Sequence, residues 1–452
     1  MKKILLAVAC FAMTLLAQAN PTHKVKINDG LTVSVEACSG SIFRIKVSPR
    51  KDFTESLMER YELIKTDWSE VKTDISDKGG VWTLKTPEYS LAINKKTGVM
   101  TVKDAKGGKV IREVRFLPEK EGLCGEMRSF INEKYADLKV ADNGGGIIGD
   151  DNGKFGEVDK HEIPAADAVS ILSFSMEDGE RFYGGGSTSR DHIQHRGEFL
   201  RMWTTYQQTE IPMPFMMSSR GWGVYNNSTR KSFFDIGNQQ KSKFNIINTF
   251  DEADFFLMMG KDMPAILNEY TLVTGRTYVL PKWAYGLCFG PNMREEQFDI
   301  LNDAVRFRQF DVPCDVFWLE PQWMEKRYDF STKKKWNYDR FSPEPYWLQD
   351  QYPKTMHNRL FIGKLRSMGF HLGLWLCEEY DLSIQEEDII AERTGGKLSG
   401  QEHWMDHLTV FMDQGVEGFK LDPARTIDNH TNWEYYNGRT DKELHNLNQV
   451  LL

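Results

Sequence analysis

Three short stretches decide the fold: Asp315-Val316-Phe317-Trp318-Leu319-Glu320, His371-Leu372-Gly373-Leu374-Trp375-Leu376-Cys377-Glu378 and Gly418-Phe419-Lys420-Leu421-Asp422. Each is a brief apolar run that ends in an acid, and each follows a segment whose apolar residues recur three and four apart. Phe298, Leu301 and Val305 mark the first of these helices. Phe361, Leu365 and Met368, with Gly369 as the stop, mark the second; Trp404, Leu408 and Phe411, with Gly415 as the stop, mark the third. Strands that alternate with helices in this way run parallel. In a (β/α)8 barrel the C-terminal strand ends converge on one mouth, so Glu320, Glu378 and Asp422 are expected around a single pocket.

Toward the C-terminus, Asp441 to Leu452 reads as the start of a fourth helix. The 172 residues from Pro281 onward fall short of the roughly 250 of a complete barrel, so the expectation is its first half. Toward the N-terminus, Pro281-Lys282-Trp283 introduces a strand over Ala284 to Phe289, and a helix over Ala265 to Val273 ends at Gly275. Before it, from about Lys24 to Phe256, the hydrophobic period changes to two. Leu31 to Glu36, Ile42 to Val47, Val81 to Thr86 and Tyr89 to Ile93 alternate, with turn signals such as Lys96-Thr97-Gly98 and Lys106-Gly107-Gly108 between runs. That spacing predicts a β-sandwich. The chain thus divides into an N-terminal β-sandwich over 20–262 and an incomplete (β/α)8 TIM barrel over 263–452.

Residues 1–19 stand apart. Lys2 and Lys3, an apolar stretch from Ile4 to Leu16 and the small-x-small exit Ala17-Gln18-Ala19 read as a signal peptide, which predicts a periplasmic or extracellular protein. Lipid anchoring through Cys10 is the weaker alternative. Cys38, Cys124, Cys288, Cys314 and Cys377 are odd in number and scattered, so they predict no disulfide framework and no zinc knuckle. A net charge of -8 with both signs interspersed argues against a nucleic-acid or anionic-membrane partner and for a neutral ligand. The glycine-rich stretch from Asn143 to Gly153 reads as a solvated loop, since the spacing of an EF-hand is missing.

Several motifs, in order, resemble glycoside hydrolase family 31. They are Glu180-Arg181-Phe182-Tyr183-Gly184-Gly185-Gly186, the segment from Ile211-Pro212 to Ser219-Arg220-Gly221-Trp222-Gly223, and Tyr270-Thr271 through Thr274-Gly275-Arg276 to Pro281-Lys282-Trp283-Ala284-Tyr285-Gly286. Asp315 to Met324, Tyr328-Asp329-Phe330 and Asp339-Arg340-Phe341-Ser342-Pro343 continue the likeness, and Gly418-Phe419-Lys420-Leu421-Asp422 resembles the nucleophile strand. The resemblance implies a retaining α-glycosidase with Asp422 as nucleophile. Such an enzyme needs an ionised carboxylate to form a glycosyl-enzyme ester and a second carboxyl group to protonate the leaving oxygen. By resemblance that acid/base lies past residue 452, so this chain alone is expected to be inactive. Lys420, two residues before Asp422 on one strand face, is expected to support the carboxylate's charge and reach a sugar hydroxyl.

Two departures bear on substrate. Glucosidases of the family carry Asp-x-Asp where this chain has Glu320-Pro321-Gln322, and Asp422 is followed by Pro423-Ala424-Arg425 rather than by an acid three residues on. Gln322 and Arg425 offer amide and guanidinium groups suited to an N-acetylhexosamine or galactose-type unit. An α-N-acetylgalactosaminide or α-galactoside is therefore expected ahead of an α-xyloside or α-glucoside, with Trp323 and Trp375 as stacking surfaces and Glu378 as a further subsite acid. No metal or organic cofactor is implied. His403 and His407 are four apart on a helix, but the Glu of HExxH is missing, and Gly184 to Gly186 are followed by no Gly-Lys-Ser/Thr. The rival reading is a glycan-binding protein on the same fold without turnover.

Overall fold

The computed structural model describes residues 20–27, 30–135, 169–187, 192–204, 211–291, 296–341, 361–378, 380–424, 446–448 and 450–451. The expected leader, the stretch 143–153 and Arg425 lie outside the described residues.

Antiparallel strands fill the first part of the chain. They are β1 (His23–Lys26), β2 (Thr32–Ala37), β3 (Ile42–Ser48), β4 (Asp74–Lys78), β5 (Val81–Lys85), β6 (Tyr89–Asn94), β7 (Met100–Asp104) and β8 (Lys109–Leu117). Then follow β9 (Ser170–Ser175), β10 (Phe182–Ser187), β11 (Phe199–Met202), β12 (Ile211–Ser218), β13 (Trp222–Asn226), β14 (Ser232–Ile236), β15 (Lys243–Asn248) and β16 (Ala253–Met259). One sheet has the order β1-β2-β3-β16-β13-β12-β10, the other β11-β14-β15-β9-β8-β7-β6-β5-β4.

Alternation explains the layering. Phe43, Ile45 and Val47 of β3 and Phe255, Leu257 and Met259 of β16 join Leu84, Leu91, Phe174 and Phe244 of the other sheet in one core. The outer face of the first sheet is covered as well, so apolar residues also occur on that side, beside the ion-paired Arg44 and Lys46. Ile42, Phe256 and Met258 pack under helices α1 (Leu57–Arg60) and, further along the chain, α3 (Met263–Thr274). Asp262 caps α3 by accepting the Ala265 N–H at 2.9 Å, and Gly275, at φ 95°, ends it. On the second sheet's outer face, α2 (Gly122–Tyr135) lays Cys124, Met127 and Ile131 over Ile171, Phe233 and Ile247. The period-two reading missed α2, whose three buried residues are thinly spread among polar ones.

Four parallel strands follow: β17 (Cys288–Phe289), β18 (Val316–Leu319), β19 (His371–Glu378) and β20 (Gly418–Ala424), in that order. The strand expected over 284–289 shrinks to two residues. Lys282–Tyr285 form a 3-10 turn instead, and Gly286 runs so close to the Asp315 carboxylate that a Cβ there would collide with it. Helices α4 (Gln297–Gln309), α5 (Phe361–Ser367), α6 (Ser383–Thr394) and α7 (Trp404–Gln414) accompany the sheet. Ile300, Leu365 and Leu408 from three of them pack on Phe317, Leu319, Leu372 and Leu374. The face of α4 differs from expectation: Phe298 is 67% exposed, and Ile300 and Ala304 are buried in its place.

Helix α6 was not foreseen because its buried side includes Glu387 and Asp388. Glu387 accepts the Arg60 guanidinium at 2.9 and 2.8 Å and the Tyr61 hydroxyl at 2.7 Å, tying the sheet domain to the sandwich. Replacing Glu387 by alanine removes a buried acceptor from both partners, leaving Arg60 its more exposed pair with Glu55, and is expected to cost about 1 to 3 kcal/mol, with Glu387→Gln recovering part of it. The midpoint of urea unfolding checks this; an unmoved midpoint in the alanine variant rules out the clamp. Cys38, Cys124, Cys314 and Cys377 are buried and Cys288 is exposed, all as free thiols.

Candidate active site

Register builds the site. Trp318 lies opposite Gly373, and Gly373 opposite Gly418. The Trp318 indole lies across both glycines, so that a Cβ on Gly373 would overlap the ring. Since side chains alternate, the face that carries Trp318 also carries Trp375 and Lys420 one step further on, Asp422 a step beyond them, and Glu320 beyond β18. The helices cover the opposite face. The indole and two glycines thus fill the lower part of this face and leave the polar groups at the C-terminal strand ends.

Lys420 Nζ stands 3.5 Å from Glu320 Oε1 and 3.9 Å from Asp422 Oδ2. One ammonium therefore sits between two carboxylates. All three side chains are partly exposed, so the pairs contribute little stability, and their consequence is orientation. Asp422 has a second tether: Trp375 Nε1–H donates to Oδ2 at 3.1 Å. Trp375 is itself held, its carbonyl accepting Trp323 Nε1–H at 2.7 Å and its ring meeting the edge of Tyr328 at a centroid distance of 5.5 Å. Tyr328 has φ 55°, a left-handed backbone that costs a non-glycine residue on the order of 1 kcal/mol and that gathers at functional sites. The following loop turns on Asp329, whose Oδ1 accepts from Ser331 N at 3.0 Å and from Ser331 Oγ at 2.7 Å.

The expected residues separate accordingly. Asp422, Lys420, Glu320 and Trp375 come together. Trp323 does not offer a stacking face: it is fully buried against Trp336 and Phe411, each at 5.1 Å, because its indole is the packing block beneath the site. Trp375, 2% exposed, acts through its N–H rather than through an open ring face. Glu378 is fully buried and accepts the Tyr380 N–H at 2.6 Å, so it does not join the exposed carboxylates. Gln322 is half-buried, and its Oε1 has no hydrogen-bond partner among the described residues.

Sequence reasoning passed over Lys334, the middle of three lysines that look solvated. It is 2% exposed and donates from Nζ to the Ser331 carbonyl at 2.6 Å; burial, opposed by the nearby Cys377, Asp329 and Glu378, pushes its pKa down. His403 is engaged by Asp388 at 2.9 Å and His407 by the Lys334 carbonyl at 3.0 Å, and no group of side chains that could hold a metal ion occurs among the described residues. Gly184, at φ 134°, meets the Phe215 carbonyl where a side chain has no room, which is a packing role.

Carboxylates gathered with an ammonium and an indole N–H stand at the C-terminal strand ends of a parallel sheet, the place where barrel enzymes carry their chemistry. Residues 32–235 match the glycosyl hydrolase 31 N-terminal galactose mutarotase-like domain, and residues 277–452 match the glycosyl hydrolases family 31 TIM-barrel domain. The chain belongs to glycoside hydrolase family 31. It is 22% identical over 68% of its length to an α-xylosidase of Emericella nidulans, covering 41% of that protein. To an α-xylosidase of Saccharolobus solfataricus it is 27% identical over 65% of its length, covering 40% of that protein. The chain spans about two fifths of the length of these curated relatives. Among solved structures, a Flavobacterium johnsoniae dextranase of the same family, in complex with isomaltotriose, superposes with a TM-score of 0.66 at 17% identity, covering 96% of this chain and 52% of that one. An α-xylosidase from a soil metagenome, in complex with xylose, gives 0.65 at 15% identity, covering 96% and 61%.

Proposed function

We infer that the protein carrying this sequence is a retaining, exo-acting α-glycosidase and that Asp422 is its nucleophile. The observation that carries this reading is the double tether of Asp422. Trp375 N–H and Lys420 leave it at the open face of the strand ends, where a carboxylate can approach an anomeric carbon. In the first step an Asp422 oxygen bonds to the anomeric carbon as the glycosidic C–O bond breaks and an acid protonates the departing oxygen. In the second, water bonds to the same carbon as the ester C–O bond breaks, gives up its proton to the deprotonated acid, and frees the sugar and the Asp422 carboxylate. The acid/base is expected about 5 to 5.5 Å from Asp422. Glu320 is not assigned the role, since Lys420 already holds it, and we place the acid/base beyond residue 452 in sequence.

The relatives' names speak for an α-xyloside or α-glucoside and lend nothing to the galactose-type reading. The departure at Glu320-Pro321-Gln322, an amide where glucosidases of the family carry an acid, keeps the N-acetylhexosamine in view. Nitrophenyl α-glycosides of xylose, glucose, galactose and N-acetylgalactosamine, offered to the full-length protein that carries this sequence, decide between them. Cleavage of none of the four supports instead the non-catalytic glycan-binding reading. The leader-like residues 1–19 support export to the periplasm or beyond, which cell fractionation tests.

Replacing Trp375 by phenylalanine keeps the ring and removes the donor. Turnover is expected to fall about 10- to 100-fold with KM little changed and the fold intact. An unaltered kcat would show that the indole N–H does not align the nucleophile.

A further inference from the structure

A cavity of about 290 Å3 opens in the β-sandwich, walled wholly by residues between 46 and 58 and between 227 and 254. None of the strand-end groups lines it. We propose that it is a second, non-catalytic site for a neutral saccharide of one or two rings. The volume lies at the lower end of ordinary ligand pockets, which suits a ligand of that size.

Three features of the wall select the chemistry. Phe53 and Phe250 are only half-buried, so each leaves ring surface for the C–H face of a sugar, with Leu57 and Met58 as apolar neighbours. Arg230 lies over the Phe250 ring at 5.1 Å and steadies it. Neutral polar groups interleave with these rings: Thr54, Ser56, Asn227 and Ser228, the inventory that pairs with vicinal hydroxyls. Asn227 is 4% exposed and donates to Ser56 Oγ at 3.0 Å and Asp254 Oδ2 at 2.8 Å, while its Oδ1 has no partner among the described residues. The two hydrogen bonds fix the Asn227 amide in the wall, beside the more accessible Thr54 and Ser228 hydroxyls.

The third feature is charge. Asp254 is held by Arg44 at 2.7 Å, and Glu252 accepts Ser48 Oγ and the Thr54 N–H, each at 2.9 Å, as well as the Arg50 guanidinium. Lys46 Nζ lies 3.3 Å from Glu59 and 4.0 Å from Asp254. Glu55, also in the wall, pairs with Arg60 at 3.2 Å, so each acid of the wall already has a cation beside it, and an uncharged polyol finds fixed donors and acceptors there.

Calorimetric titration tests this with xylose, glucose, galactose, N-acetylgalactosamine and, separately, inorganic phosphate. The protein carries Asp422→Ala, so that binding is read without turnover. Adding Phe53→Ala or Phe250→Ala is expected to weaken the binding of a neutral sugar about tenfold. The same two substitutions with Asp422 present are expected to leave kcat on small nitrophenyl α-glycosides unchanged. Absence of sugar binding, sugar isotherms that ignore both phenylalanine substitutions, or phosphate binding in place of sugar would each overturn the site. Because the readout is binding, failure of the catalytic reading leaves it standing.

Discussion

Substitution of Asp422 by alanine is expected to lower α-glycoside turnover by about 10^4-fold or more, with folding unchanged. The side chain sits at an open strand end, partly exposed, so its removal leaves no buried cavity. What it removes is the group that forms the ester. Trp375 N–H and Lys420 Nζ would then point at the space it vacated, and a small anionic nucleophile can enter there. With an activated leaving group, azide should restore release and yield the glycosyl azide of inverted configuration, as a C–N bond forms where the carboxylate would have attacked. Turnover surviving in the alanine variant would sink the assignment. A variant that is dead but gains nothing from azide would demote Asp422 to a positioning carboxylate.

The second large effect is on stability. Trp323→Ala removes a fully buried indole that meets Trp336 and Phe411 and leaves the Trp375 carbonyl without its donor. A loss of about 3 to 5 kcal/mol is expected from the cavity and the stranded carbonyl together. Trp323→Phe should lie between, since it restores part of the volume but not the hydrogen bond. Urea unfolding followed through the transition of the parallel-sheet domain reads the effect. A shift worth under about 1 kcal/mol would mean that the site's floor is not built on this residue. Because Trp323, Trp375 and Asp422 form one chain of hydrogen bonds, the alanine variant is also expected to lose turnover out of proportion to its folded fraction.

Much of the architecture was legible in the chain because hydrophobic period reports which faces are covered. Alternation over Ile42 to Val47 and helical spacing over Trp404 to Phe411 both correspond to elements of the structure. Reading failed where burial was polar or two-sided. Glu387 and Asp388 hid α6, because Arg60, Tyr61, Ser399 and His403, distant in sequence, satisfy them. Phe298 misled the assignment of the α4 face, since an apolar side chain in sequence carries no record of whether a neighbour covers it.

Around the site the division is sharp. The sequence by itself determined that acids end three successive apolar strands, that Lys420 and Asp422 share a face, and that the motifs resemble glycoside hydrolase family 31. Those properties are local: parity along a strand and the order of residues in a motif need no partner. Only the tertiary structure decided which of the three acids meet. Parallel register and the Trp318–Gly373–Gly418 row bring Glu320 and Asp422 to the same Lys420 ammonium, while Glu378 is buried. It also recast two tryptophans, one as a floor and one as a donor to the nucleophile. A side chain's role depends on what lies across the sheet from it, and that is set by contacts between residues far apart in the chain.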